Sequence, residues 1–156
     1  MLRSMKILVA VNDSLCAGGA VEAADALCAR VGGKLVLLHV VRDSRGGSGE
    51  GLPAGMGPEL LRQGRELLSR MSDRVTKSAP PTQLLRRGTP SEQVLKTARQ
   101  INADLIVIGT HGRGGLAHLL LGNETEPVVR LSPCPVMTVR HIEPKTAKKR
   151  RAPALS

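Results

Sequence analysis

Residues 104–125 read DLIVIGTHGRGGLAHLLLGNET, and they are the most informative part of the sequence. Four branched aliphatic residues in a row, at 105–108, predict a buried strand that ends at a glycine. Four glycines follow within seven residues, at positions 109, 112, 114 and 115. A glycine-rich turn after a parallel strand brings backbone N–H groups close to the phosphates of a ligand. Nucleotide binding is therefore the leading functional hypothesis.

On both sides of this stretch, strand patterns alternate with helix patterns. We predict strands at residues 6–11, 35–40, 83–86, 104–108 and 135–140. We predict one helix that ends at Gly32, and others at about 58–77, from Pro90 onward with Thr89 as its cap, and at 123–131. This alternation implies right-handed crossovers and predicts an α/β fold, in which helices cover both faces of an open, five-stranded parallel sheet.

The chain length suits a single domain with a single core, because 156 residues fall within the usual size of one domain. We predict that residues 1–141 form this domain. The last fifteen residues, 142–156, carry five basic side chains against one acidic side chain and lack periodicity. We predict a disordered tail there, and a solvated tail is a simpler interpretation of its charge than a weak, sequence-blind nucleic-acid site.

The amino-acid composition argues against several functional classes. The chain contains no Phe, Trp or Tyr, so it lacks the side chains on which unpaired bases stack, and nucleic-acid binding is not expected. No apolar run approaches the roughly 20 residues of a membrane helix, and no signal peptide is expected. Three scattered cysteines indicate free thiols in the cytoplasm and no zinc site.

Two common phosphate-binding motifs do not explain the glycine stretch. The P-loop pattern GxxxxGK[ST] is absent. Residues 112–117 match the dinucleotide pattern GxGxxA, but they follow the fourth strand rather than the first. Ser132 also occupies the region where that motif requires an acidic residue for the ribose. A dinucleotide site is therefore rejected.

The complete pattern is more specific. The segments ILVAVNDS, KLVLLHV, GTPSEQVLKTA, ADLIVIGTHGRGGLAHLLLGN and SPCPVMTVR, in this order from residue 6 to residue 140, resemble the universal stress protein family. The resemblance implies the strand order 3-2-1-4-5 of an adenine-nucleotide α-hydrolase-like fold, and a regulatory stress-response protein of the ATP-binding branch. It also implies homodimers joined through the fifth strand, at Val136, Met137, Thr138 and Val139.

The ATP-binding branch carries the motif GxxG, nine residues, then Gly followed by Ser or Thr. Gly109, Gly112 and Gly122 match it, and Asn123 departs from it. The ligand implied by the resemblance is ATP, AMP or ADP, with Mg²⁺ only as the counter-ion of the nucleotide. The residues predicted to bind it are Ala10, Asn12, Val40, Ile108, Gly109, His111, Gly112, Arg113, Gly122, Asn123, Glu124 and Thr125. Among them, Val40 is expected to contact adenine.

Three departures keep a second hypothesis open. Asn12 replaces the aspartate that usually ends the first strand in this family, and Asn123 is also a good helix N-cap. Glu124 repels phosphates unless Mg²⁺ or Arg113 intervenes. The alternative is a nucleotide-free dimeric interaction module of the same fold.

Catalysis is not expected beyond, at most, slow ATP hydrolysis, because the sequence shows no nucleophile–base constellation and no converging carboxylates. His111 is as well explained by a loop-stabilising hydrogen bond as by a phosphate contact. His39, at the end of the second strand, is expected to pack or line the site. The apolar edge of the fifth strand, which begins at Pro135, invites a symmetric partner.

Overall fold

The computed structural model describes residues 3–42, 56–111 and 122–141, without the side chains of residues 56, 111 and 122–124. In chain order the elements are β1 (Lys6–Ala10), α1 (Leu15–Val31), β2 (Lys34–Arg42), α2 (Met56–Ser72), β3 (Thr82–Gly88), α3 (Pro90–Ile101), β4 (Leu105–His111), α4 (Gly122–Leu131) and β5 (Val136–His141). The tail and most of the glycine stretch, including Gly112 and Arg113, lie outside the described residues.

The five strands form one parallel sheet in the order β3-β2-β1-β4-β5, which confirms the predicted fold class. Helices α1 and α2 pack on one face, over a core that includes Val9, Val21 and Leu68. Helices α3 and α4 cover the other face through residues such as Val94 and Val128. The central strands are buried on both faces, which explains their unbroken aliphatic sequence.

Helix α2 ends at Ser72, five residues before the predicted end, because a carboxylate captures the backbone that follows. Asp25 of α1 is 2% exposed and accepts hydrogen bonds from the backbone N–H groups of Thr76, Lys77 and Ser78, and from the Ser78 hydroxyl. Amides held in this way do not continue a helix.

Helix α1 ends as predicted, because Gly32 takes the left-handed conformation at its C-cap. The cap predicted for α3 is only partly formed. Thr89 has the extended conformation of an N-cap residue, but its hydroxyl makes no capping hydrogen bond. Its side chain is exposed, so water can take the place of the helix amides as its partner.

Candidate functional site

A cleft of about 930 Å³ opens at the carboxyl ends of β1, β2 and β4. Strand register sets its floor, because Ala10 is paired with Leu38 on one side and with Ile108 on the other. The chain extends from β1 to β2 and β3 in one direction and then crosses over to β4. Doubly wound sheets bind ligands where the strand order reverses in this way, between β1 and β4.

The cleft has an apolar floor and a polar rim. The apolar lining is supplied mainly by the strand ends and by the inner faces of three helices: Ala10, Val11, Leu38, Val40, Val41, Leu60, Leu67, Val94, Ile108 and Val128. The polar and charged lining is Asn12, Asp13, His39, Arg42, Gln63, Glu66, Arg70, Thr89 and Ser91. An apolar pocket with a few convergent polar groups has the composition of a small-molecule site, and its volume suits a mononucleotide.

Four of the residues predicted from the sequence line this cleft: Ala10, Asn12, Val40 and Ile108. Gly109 and Thr125 are described but are absent from the lining, so their predicted contacts stay predictions. The structure does not describe the side chains of His111, Asn123 and Glu124. For Gly122 it gives only the place of the residue at the start of α4. Gly112 and Arg113 lie outside the described residues altogether.

Asn12 forms a local turn at the mouth of the cleft. Its Oδ1 atom accepts a hydrogen bond from the Ser14 N–H at 3.0 Å, just before α1 begins. An asparagine at this position could accept a hydrogen bond from a ribose hydroxyl through the same oxygen. Since the oxygen already has one donor, the amide group of Asn12 is the part of the side chain better suited to a ligand, to which it would donate.

His39 lines the cleft and also links two of the chain segments that form it. The ring Nδ1 lies 2.9 Å from the Val11 carbonyl oxygen, which links the end of β2 to the residue after β1. The ring also contacts α2 closely: a Cβ added to Gly64 would lie 3.0 Å from the His39 Cδ2 atom. Gly64 is therefore the position at which α2 approaches the strands closely.

Sequence analysis missed the contribution of α2 to the site. Gln63, Glu66 and Arg70 line the rim, and the Arg70 guanidinium lies 3.9 Å from the Asp13 carboxylate across the mouth. These three residues recur at spacings of three and four, next to Leu60 and the buried Leu67. That spacing places them on one side of a helix, but it does not show that this side borders a ligand cleft.

Thr125 lies in the first turn of α4, after the glycine motif. It is 5% exposed, and its hydroxyl is one of two buried side-chain oxygens without a hydrogen-bond partner in the described part of the chain. Val128, three residues later on the same face of the helix, lines the cleft. A buried hydroxyl left unpaired costs about 1–3 kcal/mol, so this atom is suited to bind an acceptor or donor that the protein does not supply.

The described residues offer little for covalent or metal chemistry. Burial raises the pKa of the Cys16 thiol above 9.0, although a hydrogen bond with Ser14 acts in the opposite direction. The thiol is therefore protonated at neutral pH and is a poor nucleophile. Within residues 3–42, 56–111 and 122–141, no three side chains of His, Cys, Asp or Glu are grouped to hold a metal ion. None of the described helices is long and apolar enough to cross a membrane.

Comparison with known proteins identifies similar chains. The sequence profile of the universal stress protein family matches residues 4–140. A universal stress protein A homologue from Coxiella burnetii is 32% identical over 77% of this chain and 83% of its own length. A relative from Thermus aquaticus is 47% identical over 57 residues, which cover 36% of this chain and 42% of that protein.

Solved structures share the fold. The universal stress protein UspA from Lactobacillus plantarum has a TM-score of 0.70 at 28% identity, and the match covers 90% of this chain and all of that chain. Two further structures contain ligands. One is a universal stress protein in complex with cAMP, with a TM-score of 0.67 at 22% identity over 88% of this chain and 97% of its own.

The other is a universal stress protein from Archaeoglobus fulgidus in complex with dAMP. Its TM-score is 0.65 at 23% identity, over 86% of this chain and 96% of its own. At these identities, the similarity to the two ligand complexes is one of fold.

Proposed function

The chain belongs to the universal stress protein family, and within that family we propose that it binds an adenine nucleotide in the cleft at the ends of β1, β2 and β4. ATP is the proposed ligand, with AMP and ADP as related candidates and Mg²⁺ as the counter-ion. Two structures of the same fold hold cAMP and dAMP, which supports an adenine nucleotide as the class of ligand.

One observation carries the proposal. The buried, unpartnered Thr125 hydroxyl lies in the first turn of α4, on the helix face that reaches the cleft through Val128. The positive end of the helix dipole is in the same turn and favours an anionic ligand. Arg42 and Arg70 also line the cleft and can meet a phosphate group, and Asp13 and Glu66 balance them in formal charge.

The proposed role is that of a regulator and not a catalyst. The cleft contains His39, Asp13 and Glu66, which could in principle act as acids or bases. They are not arranged around one point, and two of them already have partners. His39 bonds to a backbone carbonyl, and Asp13 lies opposite Arg70. Phosphate release from ATP at the rate of a buffer control is therefore the expected result.

The proposal is tested by isothermal titration calorimetry, in which ATP, ADP or AMP is added to the protein with and without Mg²⁺. We expect heat of binding, together with NMR shift changes at the amides of Ala10, Asn12, Val40 and Ile108. The amides of Asn102 and Asp104, which belong to a separate pocket at the other end of the sheet, serve as the internal control. No heat at millimolar nucleotide contradicts the proposal and favours the nucleotide-free interaction module.

A homodimer through β5 is part of the proposal. Within the described residues, β5 pairs only with β4, and its half-buried Val136, Met137 and Val139 are apolar. An unpaired strand edge of this kind can pair with a second copy. A cytoplasmic location is proposed as well, supported by the three unpaired cysteines, Cys16, Cys28 and Cys134, since thiols persist in a reducing compartment.

A further inference from the structure

The hydrogen-bond ladder between β1 and β2 ends in an unusual way. Val11, the first residue after β1, still follows the parallel pattern at its nitrogen, which donates to the Leu38 carbonyl at 2.8 Å. In a parallel ladder, the next bond would run from the Val40 N–H to the Val11 carbonyl. That bond is not formed in the described structure, because the Val11 oxygen instead receives the His39 ring nitrogen at 2.9 Å.

The chemistry of this contact fixes the proton on the ring. A carbonyl oxygen can only accept, so the Nδ1 atom of His39 must carry a hydrogen to donate to Val11. In the neutral ring, Nε2 then keeps its lone pair. Helix α2 packs against this ring at Gly64, where a side chain as small as a methyl group would crowd the His39 Cδ2 atom.

The consequence falls on Val40. Register pairs Ala10 with Leu38, so the N–H and C=O groups of Leu38 face β1, and those of Val40, two residues later, point to the same side. Beyond the end of β1 that side is open to the cleft, which Val40 lines. No acceptor in the described part of the chain receives the Val40 N–H, so a backbone donor remains at the cleft wall.

We propose that His39 is a positioning residue that ends the β1–β2 ladder one bond early and so keeps the Val40 N–H available to a ligand. This donor selects a ligand that presents an acceptor atom, and a ring nitrogen on the edge of a purine base is such an acceptor. The inference rests on the proposed nucleotide function for its ligand, but the diversion of the Val11 carbonyl by His39 does not.

Two variants separate the hydrogen bond from the bulk of the ring. His39→Leu fills space but has no donor, so the Val11 carbonyl is free to take up the Val40 N–H. His39→Asn is smaller, but its side-chain amide can donate from nearly the position of Nδ1. If His39 acts only by packing, His39→Leu should resemble the wild type more closely than His39→Asn does. If His39 acts through its hydrogen-bond donor, His39→Asn should be the one that resembles the wild type.

The first measurement needs no nucleotide. Imidazole ¹⁵N shifts of the wild-type protein are expected to show a protonated Nδ1 at His39. Hydrogen exchange at the Val40 amide is expected to slow by about tenfold in His39→Leu, because an internal bond forms, and to stay near the wild-type rate in His39→Asn. An unprotonated Nδ1, or a Val40 exchange rate that is the same in all three proteins, overturns the proposal.

The second measurement is ATP titration of the same three proteins. His39→Leu is expected to bind about tenfold more weakly, and His39→Asn is expected to recover affinity to within about threefold of wild type. If His39→Asn binds as weakly as His39→Leu, the ring itself contacts the ligand and the positioning role is wrong. If the wild type binds no nucleotide while the exchange results hold, the proposed function fails and the role of His39 in ending the ladder stands.

Discussion

The carbonyl oxygen of Cys16 occupies the space beside Gly109 in which a side chain would begin. A Cβ added to Gly109 would lie 2.5 Å from that oxygen and 2.8 Å from the carbonyl carbon. These are backbone atoms in the first turn of α1, and they cannot rotate away as the end of a side chain can. The first glycine of the motif is therefore required by the packing of α1 on β4, whatever its role toward a ligand.

Gly109→Ala is expected to lower the free energy of unfolding by about 2 kcal/mol, because α1 must move away from the sheet. Gly19→Ala, in α1, is the matched control, since a Cβ there meets no atom of the described residues within 4 Å. It is expected to raise stability by about 0.5–1 kcal/mol through helix propensity. Urea unfolding followed by circular dichroism measures both, and an equally stable Gly109→Ala protein would show that the contact is not restrictive.

Thr125→Val is expected to have opposite effects on stability and on binding. Removal of an unpartnered buried hydroxyl should raise the free energy of unfolding by about 1 kcal/mol. Loss of the ligand contact should weaken ATP binding about fivefold to tenfold.

Thr97→Val is the control for this pair of effects, because Thr97 in α3 has the other unpartnered buried hydroxyl. It should gain similar stability and leave the dissociation constant unchanged. If Thr125→Val binds ATP as tightly as wild type, the hydroxyl is not part of the site.

Asp25 is expected to make the free energy of unfolding depend on pH in the acid range. Burial acts to raise the pKa of its carboxyl, but the hydrogen bonds from Ser78, Thr76 and Lys77 outweigh burial and hold the pKa below its ordinary 3.8. A group whose pKa falls on folding stabilises the folded state at pH values above its unfolded pKa. Its contribution should be complete at pH 7 and should decline as the pH falls below 3.8 toward the folded value.

Asp25→Asn should therefore cost about 2 kcal/mol at pH 7, and the gap from wild type should narrow in acid. Unfolding in urea from pH 7 to pH 3 measures this gap. Asp73→Asn, which changes an exposed carboxylate just after α2, is the control and should leave the gap near zero. A gap for Asp25→Asn that is constant over this range would mean that the carboxylate charge is not what holds the turn.

Thr138→Pro is expected to separate the proposed dimer without disrupting the sheet. The Ile106 N–H donates to the Pro135 carbonyl at 3.0 Å, so residues 135, 137 and 139 turn their backbone groups toward β4. Thr138, which is exposed, then directs its N–H to the open edge, where proline can be accommodated. Sedimentation at micromolar concentration should find a dimer for wild type and Thr138→Ala, and a monomer for Thr138→Pro. A monomeric wild-type protein contradicts the dimer itself.

The type and order of the helices and strands were predictable because local patterns determine them. Buried parallel strands read as unbroken aliphatic runs, and Gly32 ends α1 for a reason that lies in its own backbone. The end of α2 was not predictable, because the bonds that stop it come from Asp25, about fifty residues earlier in the chain. A helix pattern contains no information about a distant carboxylate.

The candidate site divides in the same way. A parallel α/β sheet could be predicted from local patterns, and so could the place of Ala10, Asn12, Val40 and Ile108 near the strand ends, because strand ends and glycine turns are local features. Three further relationships became visible in the folded chain. Helix α2 forms one wall of the cleft, the Cys16 carbonyl leaves no room for a side chain at position 109, and the Val11 carbonyl accepts a hydrogen bond from His39 instead of Val40. These relationships join residues far apart in sequence, so they depend on strand order, register and helix packing, which exist only once the chain has folded.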